Sequence, residues 1–202
     1  MDNSVLPDSV EPDFYPESNI FVNKLDIRDY QQLRNKEADM TFVRGLELLQ
    51  SPAMIEQTYD FAHLKKIHAH LFQDLYAWAG RPRSYDVSKG GDIFTPAEEL
   101  GKYEQTVFAR SQQFVGLKNR PNPQEAAVLL AKCLGILNIY HPFPEGNGRT
   151  QRIFLTSVAS CQQYYLDWSK VFAWEMVETS KLAHVGEYDA LTYMIERILK
   201  SA

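Results

Sequence analysis

The 202 residues carry 21 lysines and arginines against 26 aspartates and glutamates, a formal charge of −5, with 45% hydrophobic and 23% charged residues. That balance fits one globular domain with a substantial core and weighs against direct binding of nucleic acid, which needs a basic surface. No uncharged run approaches about 18 residues and the chain opens without a basic, apolar leader pattern, so no membrane partner and a cytoplasmic location are expected.

Residues 1–19 are acidic, hold Pro7, Pro12 and Pro16, and show no periodicity. They are expected to form an N-terminal arm, with Phe14 and Tyr15 pinning its end to a single domain over residues 20–202. From Asp26 to about Leu49, Ile27, Tyr30, Leu33, Met40, Val43, Leu46 and Leu49 recur at helical spacing, and Ser51-Pro52 ends the run. Asp60 is placed to cap a second helix whose buried face includes Phe61, Leu64, Ile67, Leu71, Leu75 and Trp78, and Gly80 is expected to stop it. Its histidines make a poor metal set: His63 and His70 share a face, His68 does not, and no carboxylate joins them. They are expected in the core or on the surface.

Residues 83–95 have a different rhythm. Ser84-Tyr85-Asp86-Val87-Ser88 alternates in polarity, Lys89-Gly90-Gly91-Asp92 has turn chemistry, and Ile93-Phe94 resumes an apolar run. This predicts a short β-hairpin, the one convincing strand signal in the chain. Two strands alone are marginal, so the hairpin is not expected to serve stability, and the plain reading is a surface excursion between helices. Thr95-Pro96-Ala97-Glu98 and Asn122-Pro123-Gln124-Glu125 both carry the capping-box pattern, and they predict helices to about Phe114 and to Tyr140. A helix from about Arg149 to Tyr164 is expected to bury Ile153, Phe154, Val158 and Cys161. Cys133 and Cys161 are therefore read as core thiols rather than a disulfide. Asp167-Trp168-Ser169 leads into a helix to about Lys181, and Asp189 is placed to cap a last one to Leu199 that buries Leu191, Met194, Ile195 and Ile198. The fold class is all-α, a compact helical bundle with one short β-hairpin.

Between the two most apolar helices lies His141-Pro142-Phe143-Pro144-Glu145-Gly146-Asn147-Gly148-Arg149-Thr150-Gln151-Arg152. Two glycines around an asparagine permit a tight turn with uncovered amides. A helix N-terminus follows, so the turn is suited to an anion, phosphate above all. One base, one carboxylate and two guanidiniums surround it. Phe143 is expected as the buried anchor of the loop.

These twelve residues match every defined position of H-x-F-x-[D/E]-G-N-G-R-x-x-R, and on them the chain resembles the Fic family, small bacterial Fic toxins in particular. The similarity extends from about Phe14 to the C-terminus. It takes in Phe14-Tyr15-Pro16, the stretch Leu71–Gly80 and the hairpin. The resemblance implies a Fic-type bundle with a flap at about 83–95 and a signature loop at 141–152. It implies a protein adenylyltransferase moving AMP from ATP to a hydroxyl side chain, with His141 as general base and Glu145 holding Mg²⁺. Gly146, Asn147 and Gly148 would give backbone donors and an amide to phosphate oxygens, and Arg149 and Arg152 would grip the outer phosphates. By the same resemblance Ser84, Tyr85, Asp86, Val87, Lys89, Ile93 and Phe94 would dock a target by strand addition, with Ile93 or Phe94 clamping the modified residue. The alternatives are a Fic-fold binding module without turnover and a transferase of a different nucleotide moiety.

Fic proteins of this kind are commonly restrained by a helix carrying [S/T]-x-x-x-E-[G/N], whose glutamate pairs with the second signature arginine, here Arg152. The nearest approach in this chain is Thr192-Tyr193-Met194-Ile195-Glu196-Arg197, where Arg197 breaks the pattern and the segment reads as a core helix. The resemblance therefore implies a separate small antitoxin protein that brings the glutamate. By analogy the targets would be type II topoisomerases, DNA gyrase or topoisomerase IV subunits.

Overall fold

The computed structural model describes residue 6, residues 8–89 and residues 92–201. Gly90 and Gly91, expected in the hairpin's turn, and part of the expected arm lie outside the described residues. The centre of the fold is α4 (Pro123–Tyr140), which packs against α3 (Leu100–Val115), α5 (Asn147–Ser160), α6 (Ala173–His184) and α7 (Asp189–Ile198). Its capping box forms as expected, with Asn122 Oδ1 accepting from Glu125 N at 2.9 Å and Glu125 Oε2 from Asn122 N at 3.1 Å. Ala126, Ala127, Ala131 and Gly135 keep its surface low enough for neighbours to approach on several sides. A Cβ on Gly135 would lie 2.7 Å from the Tyr188 ring, so that approach needs glycine.

Several expected boundaries move. The first helix, α1 (Tyr30–Gln50), starts after Asp29, whose carboxylate accepts from Gln32 N at 2.7 Å. Asp26, at φ +50°, is left-handed and cannot begin a right-handed helix. The buried face of α1 also differs from the apolar stripe: Leu33, Glu37, Thr41, Gly45 and Leu48 point inward, while Tyr30, Val43, Leu46 and Leu49 are exposed. α2 (Phe61–Phe72) is capped by Asp60 as expected but ends eight residues before Gly80. Leu75, Tyr76 and Trp78 are buried from the turns that follow it.

The hairpin is present and short: β1 (Ser88–Lys89) pairs antiparallel with β2 (Asp92–Ile93), Ser88 opposite Ile93. Thr95 does not cap α3. Its hydroxyl donates to Ile139 O at 3.1 Å, and the Asp86 carboxylate accepts from Ala97 N at 2.8 Å, at the start of a 3-10 turn (Ala97–Glu99) that leads into α3. A second antiparallel pair, β3 (Tyr164–Leu166) with β4 (Leu199–Ser201), was not expected. It truncates the helices predicted to reach Tyr164 and Leu199. Cys161 is exposed just beyond α5 and is no core thiol; Cys133 is buried, burial pushes its thiol up to about 12, and both are free. Asp189 is the first residue of α7 and makes no capping bond, yet Leu191, Met194, Ile195 and Ile198 are buried as expected. Among the described residues no helix is long and apolar enough to cross a membrane.

The candidate active-site loop

The loop is built from both ends. α4 ends on His141, at φ +42°, and this left-handed residue turns the chain out of the helix. α5 begins after Gly146, at φ +81°, where a Cβ would come within 2.2 Å of the Phe72 ring. Only glycine meets both demands. Between the two turns, the Asn147 amide closes the loop on itself: its Oδ1 accepts from Phe143 N at 2.9 Å and its Nδ2 donates to Phe143 O at 2.7 Å. That amide was expected on phosphate. The structure gives it to the backbone, so its part is to hold the loop's shape.

Phe143 is fully buried, as expected of an anchor, and its ring stacks on His68 at 3.9 Å. His68, buried and read beforehand as a bland histidine, fixes the loop from below. Its Nδ1 accepts from Gly80 N at 2.8 Å, so the proton sits on Nε2, which donates to Glu145 O at 3.0 Å. Burial lowers its pKa to about 3, so the ring stays neutral. No feature of residues 60–80 marks this contact, because its partner is 77 residues away.

His141 stacks face to face on Phe94, centroids 3.8 Å apart. Its Nδ1 lies 3.1 Å from Asn138 O. A carbonyl only accepts, so Nδ1 carries the proton in the neutral ring and Nε2 carries the basic lone pair. The two flap candidates separate here: Phe94 is buried under His141, whereas Ile93 is 72% exposed. Ser84, Tyr85 and Val87 are half-buried, Asp86 accepts from Ala97 N ahead of α3, and Lys89 belongs to β1.

The two arginines also part company. Arg149 turns to α1, where Nη2 donates to Glu37 Oε2 at 2.8 Å, Nη1 donates to Thr41 Oγ1 at 3.3 Å, and the guanidinium lies over Phe72. Tyr76 donates its phenol to the other Glu37 oxygen. Arg149 thus forms an ion pair that ties α5 to α1. Arg152 has no carboxylate partner among the described residues; burial and the neighbouring Arg149 charge both disfavour its ionised form. It opens into a cleft of about 510 Å³ between α1 and α5, walled by Phe42, Leu46, Leu49, Ile153 and Trp168.

The first intrahelical bond of α5 runs from Thr150 N to Gly146 O at 3.1 Å, so the amides of Asn147, Gly148 and Arg149 precede it and point out of the helix end. This is an anion site by construction. Glu145 stands beside it with its side chain 45% exposed, one oxygen accepting from Gly146 N at 2.8 Å and 3.5 Å from Arg149. Among the described residues no cluster of three metal-ligating side chains exists. One accessible carboxylate next to a phosphate site fits Mg²⁺, which binds through one or two carboxylates and the phosphates themselves.

Residues 58–159 match the family model described as the Fic/DOC family. The protein adenylyltransferase VbhT of Bartonella schoenbuchensis is 34% identical over 95% of this chain, which spans 39% of VbhT's length. The relative y4lH of Sinorhizobium fredii, named a probable protein adenylyltransferase, is 31% identical over 94% of this chain and 96% of its own. Among solved structures, the N-terminal Fic domain of a VirB-translocated Bep effector from Bartonella quintana, with bound ADP, superposes with a TM-score of 0.86 at 23% identity. That match covers 93% of this chain and 94% of the other. BepC of Bartonella tribocorum, with bound AMPPNP, gives the same TM-score at 22% identity over 93% and 96% of the two chains.

Proposed function

The chain belongs to the Fic/DOC family, and from that premise we propose that it transfers AMP from ATP to a hydroxyl side chain of a target protein. The observation that carries this reading is the tautomer of His141. With Nδ1–H on the Asn138 carbonyl, Nε2 is the nitrogen able to take a proton, and the ring is held by Phe94. His141 Nε2 takes the proton of the target hydroxyl while its oxygen bonds to the α-phosphorus. The bond from that phosphorus to the bridging oxygen of the β-phosphate breaks, and pyrophosphate leaves. The free amides at the start of α5 meet the charge that builds on the phosphate oxygens. Arg152 meets the outer phosphates. Glu145 would hold Mg²⁺, which when bound neutralises phosphate charge. Relatives named adenylyltransferases and likened structures holding ADP and AMPPNP support the choice of nucleotide.

The finer reading is a cytoplasmic toxin that acts on type II topoisomerase subunits and is restrained by a separate antitoxin whose glutamate pairs with Arg152. Two features support the restraint in trans. Arg152 lacks a carboxylate partner among the described residues, and the cleft it opens into has an apolar wall fit for a helix. Glu196 is exposed on α7, and its neighbour Arg197 is engaged with Glu175 of α6.

The test is intact-mass analysis of gyrase and topoisomerase IV subunits after incubation with each nucleoside triphosphate. An adduct of one AMP, formed from ATP, is expected. His141→Ala should lower the rate about 10²–10⁴-fold, the usual cost of losing a positioned base. Labelling near wild type in that variant overturns the assignment of the base, and an adduct from another nucleotide overturns ATP as donor.

A further inference from the structure

Arg83 is fully buried, yet none of the ion pairs among the described residues includes it. Its guanidinium is bonded to backbone carbonyls: Nε donates to His141 O at 2.9 Å, Nη1 to Tyr85 O at 2.8 Å, and Nη2 to Thr95 O. Its own amide donates to Pro142 O at 2.8 Å. The acceptors come from three places that the sequence keeps apart: the catalytic loop, the limb entering the hairpin and the limb leaving it. Thr95 is itself tied to α4, its amide donating to Ile139 O at 2.9 Å. The residue before it, Phe94, carries the His141 ring. On the outer side the arm closes the junction, with Val10 N donating to Pro82 O at 2.7 Å and Ser84 N to Val10 O at 2.9 Å.

A buried charge whose hydrogen bonds all go to carbonyls is costly, because each carbonyl offers only a partial charge, and the nearby Asp86 carboxylate offsets part of that cost without forming an ion pair with the guanidinium. A hydrophobic residue would fill the space at less cost, but could not join the three segments. Guanidinium can, because its donors spread in a fixed plane; an ammonium offers its donors from a single point. We propose that Arg83 is the positioning residue that couples the hairpin to the base. It holds the flap, and hence a target strand laid along it, at a fixed distance from His141 Nε2. This inference rests on the adenylyl-transfer reading. It predicts that Arg83 acts on the rate of transfer to protein and not on nucleotide binding, since no contact of Arg83 reaches the α5 N-terminus.

The experiment uses Arg83→Lys, which keeps the charge but not the fork, with Arg83→Gln as a second variant that removes the buried charge and retains an amide. Three quantities are measured on the full chain: kcat and KM for AMP transfer to protein, ATP affinity by calorimetry, and amide hydrogen exchange. Misplacing a reacting group by about 1 Å can cost on the order of 100-fold, so kcat should fall about 10- to 100-fold with ATP affinity unchanged. Exchange should quicken at Arg83, Ser84 and Thr95, the amides bonded at this junction, while α4 and α5 stay protected. If exchange rises evenly over the whole chain and ATP affinity falls with kcat, Arg83 is a general stabiliser and the proposal is wrong. Unchanged exchange at the junction in both variants overturns it equally. A wild type that transfers nothing would instead defeat the adenylyl-transfer reading, and the exchange data would still decide whether the guanidinium couples flap to loop.

Discussion

Three histidines of this chain show how little a residue type decides and how much its surroundings do. His141 has Nδ1 on a carbonyl, which fixes its tautomer, and a ring face on Phe94. His68 is a buried strut with both nitrogens bonded. His63 is buried between Tyr59 and Phe154, and neither ring nitrogen has a hydrogen-bond partner. Burial lowers His63 to about 4 and His68 to about 3, against an ordinary value of 6.5. Both rings are therefore neutral in the fold at pH values where the unfolded chain already binds protons. The stability they permit is complete above about pH 6.5, declines as pH falls below that value, and stops declining once pH passes about 4 for His63 and about 3 for His68. His63→Leu removes one of these protons and two unsatisfied polar atoms, at similar volume. Its unfolding temperature at pH 7 should match or exceed that of wild type and should fall less steeply between pH 6.5 and 4. Parallel melting curves for the two proteins over that range would show that His63 is not the acid-sensitive group.

At the scale of elements, the helix starts were legible where a side chain supplied a local cap. Asp60 and Asn122 lie next to the amides they serve, so the information is contiguous. Of the two residues proposed as the hairpin's clamp, Ile93 is exposed and Phe94 is committed to the His141 ring, so Ile93 is the one open to a docked target. Burying an isoleucine is worth about 1.5–3 kcal/mol, so Ile93→Asp should cost roughly 10- to 100-fold in kcat/KM for a protein target. Nucleotide affinity and melting temperature should stay as in wild type. Equal losses in nucleotide affinity would make the hairpin a structural element. The elements that escaped the sequence reading share one cause, which is distance along the chain. β3 meets β4 from 33 to 37 residues away, Tyr164 opposite Ser201 and Leu166 opposite Leu199 only through the packing of α5 and α7. Likewise α1 carries two stripes at helical spacing, and the more apolar one faces out because α5 presents Arg149 to Glu37 and Thr41 on the other.

Over the whole molecule, the signature loop was legible because its twelve residues are contiguous, while its supports were not. Glu37, His68 and Arg83 each reach the loop from far along the chain, Gly80 holds His68 in place, and no periodicity marks them. The same geometry bears on restraint. Glu37 is the carboxylate already inside the site, but it is spent on Arg149 and Tyr76, and Arg152 has no carboxylate partner among the described residues, as the proposed restraint in trans requires. A helix of about 20 residues lying in the α1–α5 cleft could bury its apolar face on Phe42, Leu46 and Leu49 and bring a glutamate to Arg152. The chain alone should then label itself or its target with AMP at full rate, and Glu196→Gly should change nothing. A synthetic helix carrying Ser-x-x-x-Glu-Gly should suppress labelling, and its Glu→Gln form should suppress it far less, because an amide cannot pair with the guanidinium as an ion. If the wild-type chain is nearly silent by itself and Glu196→Gly releases strong labelling, the restraint is internal and the trans arrangement fails.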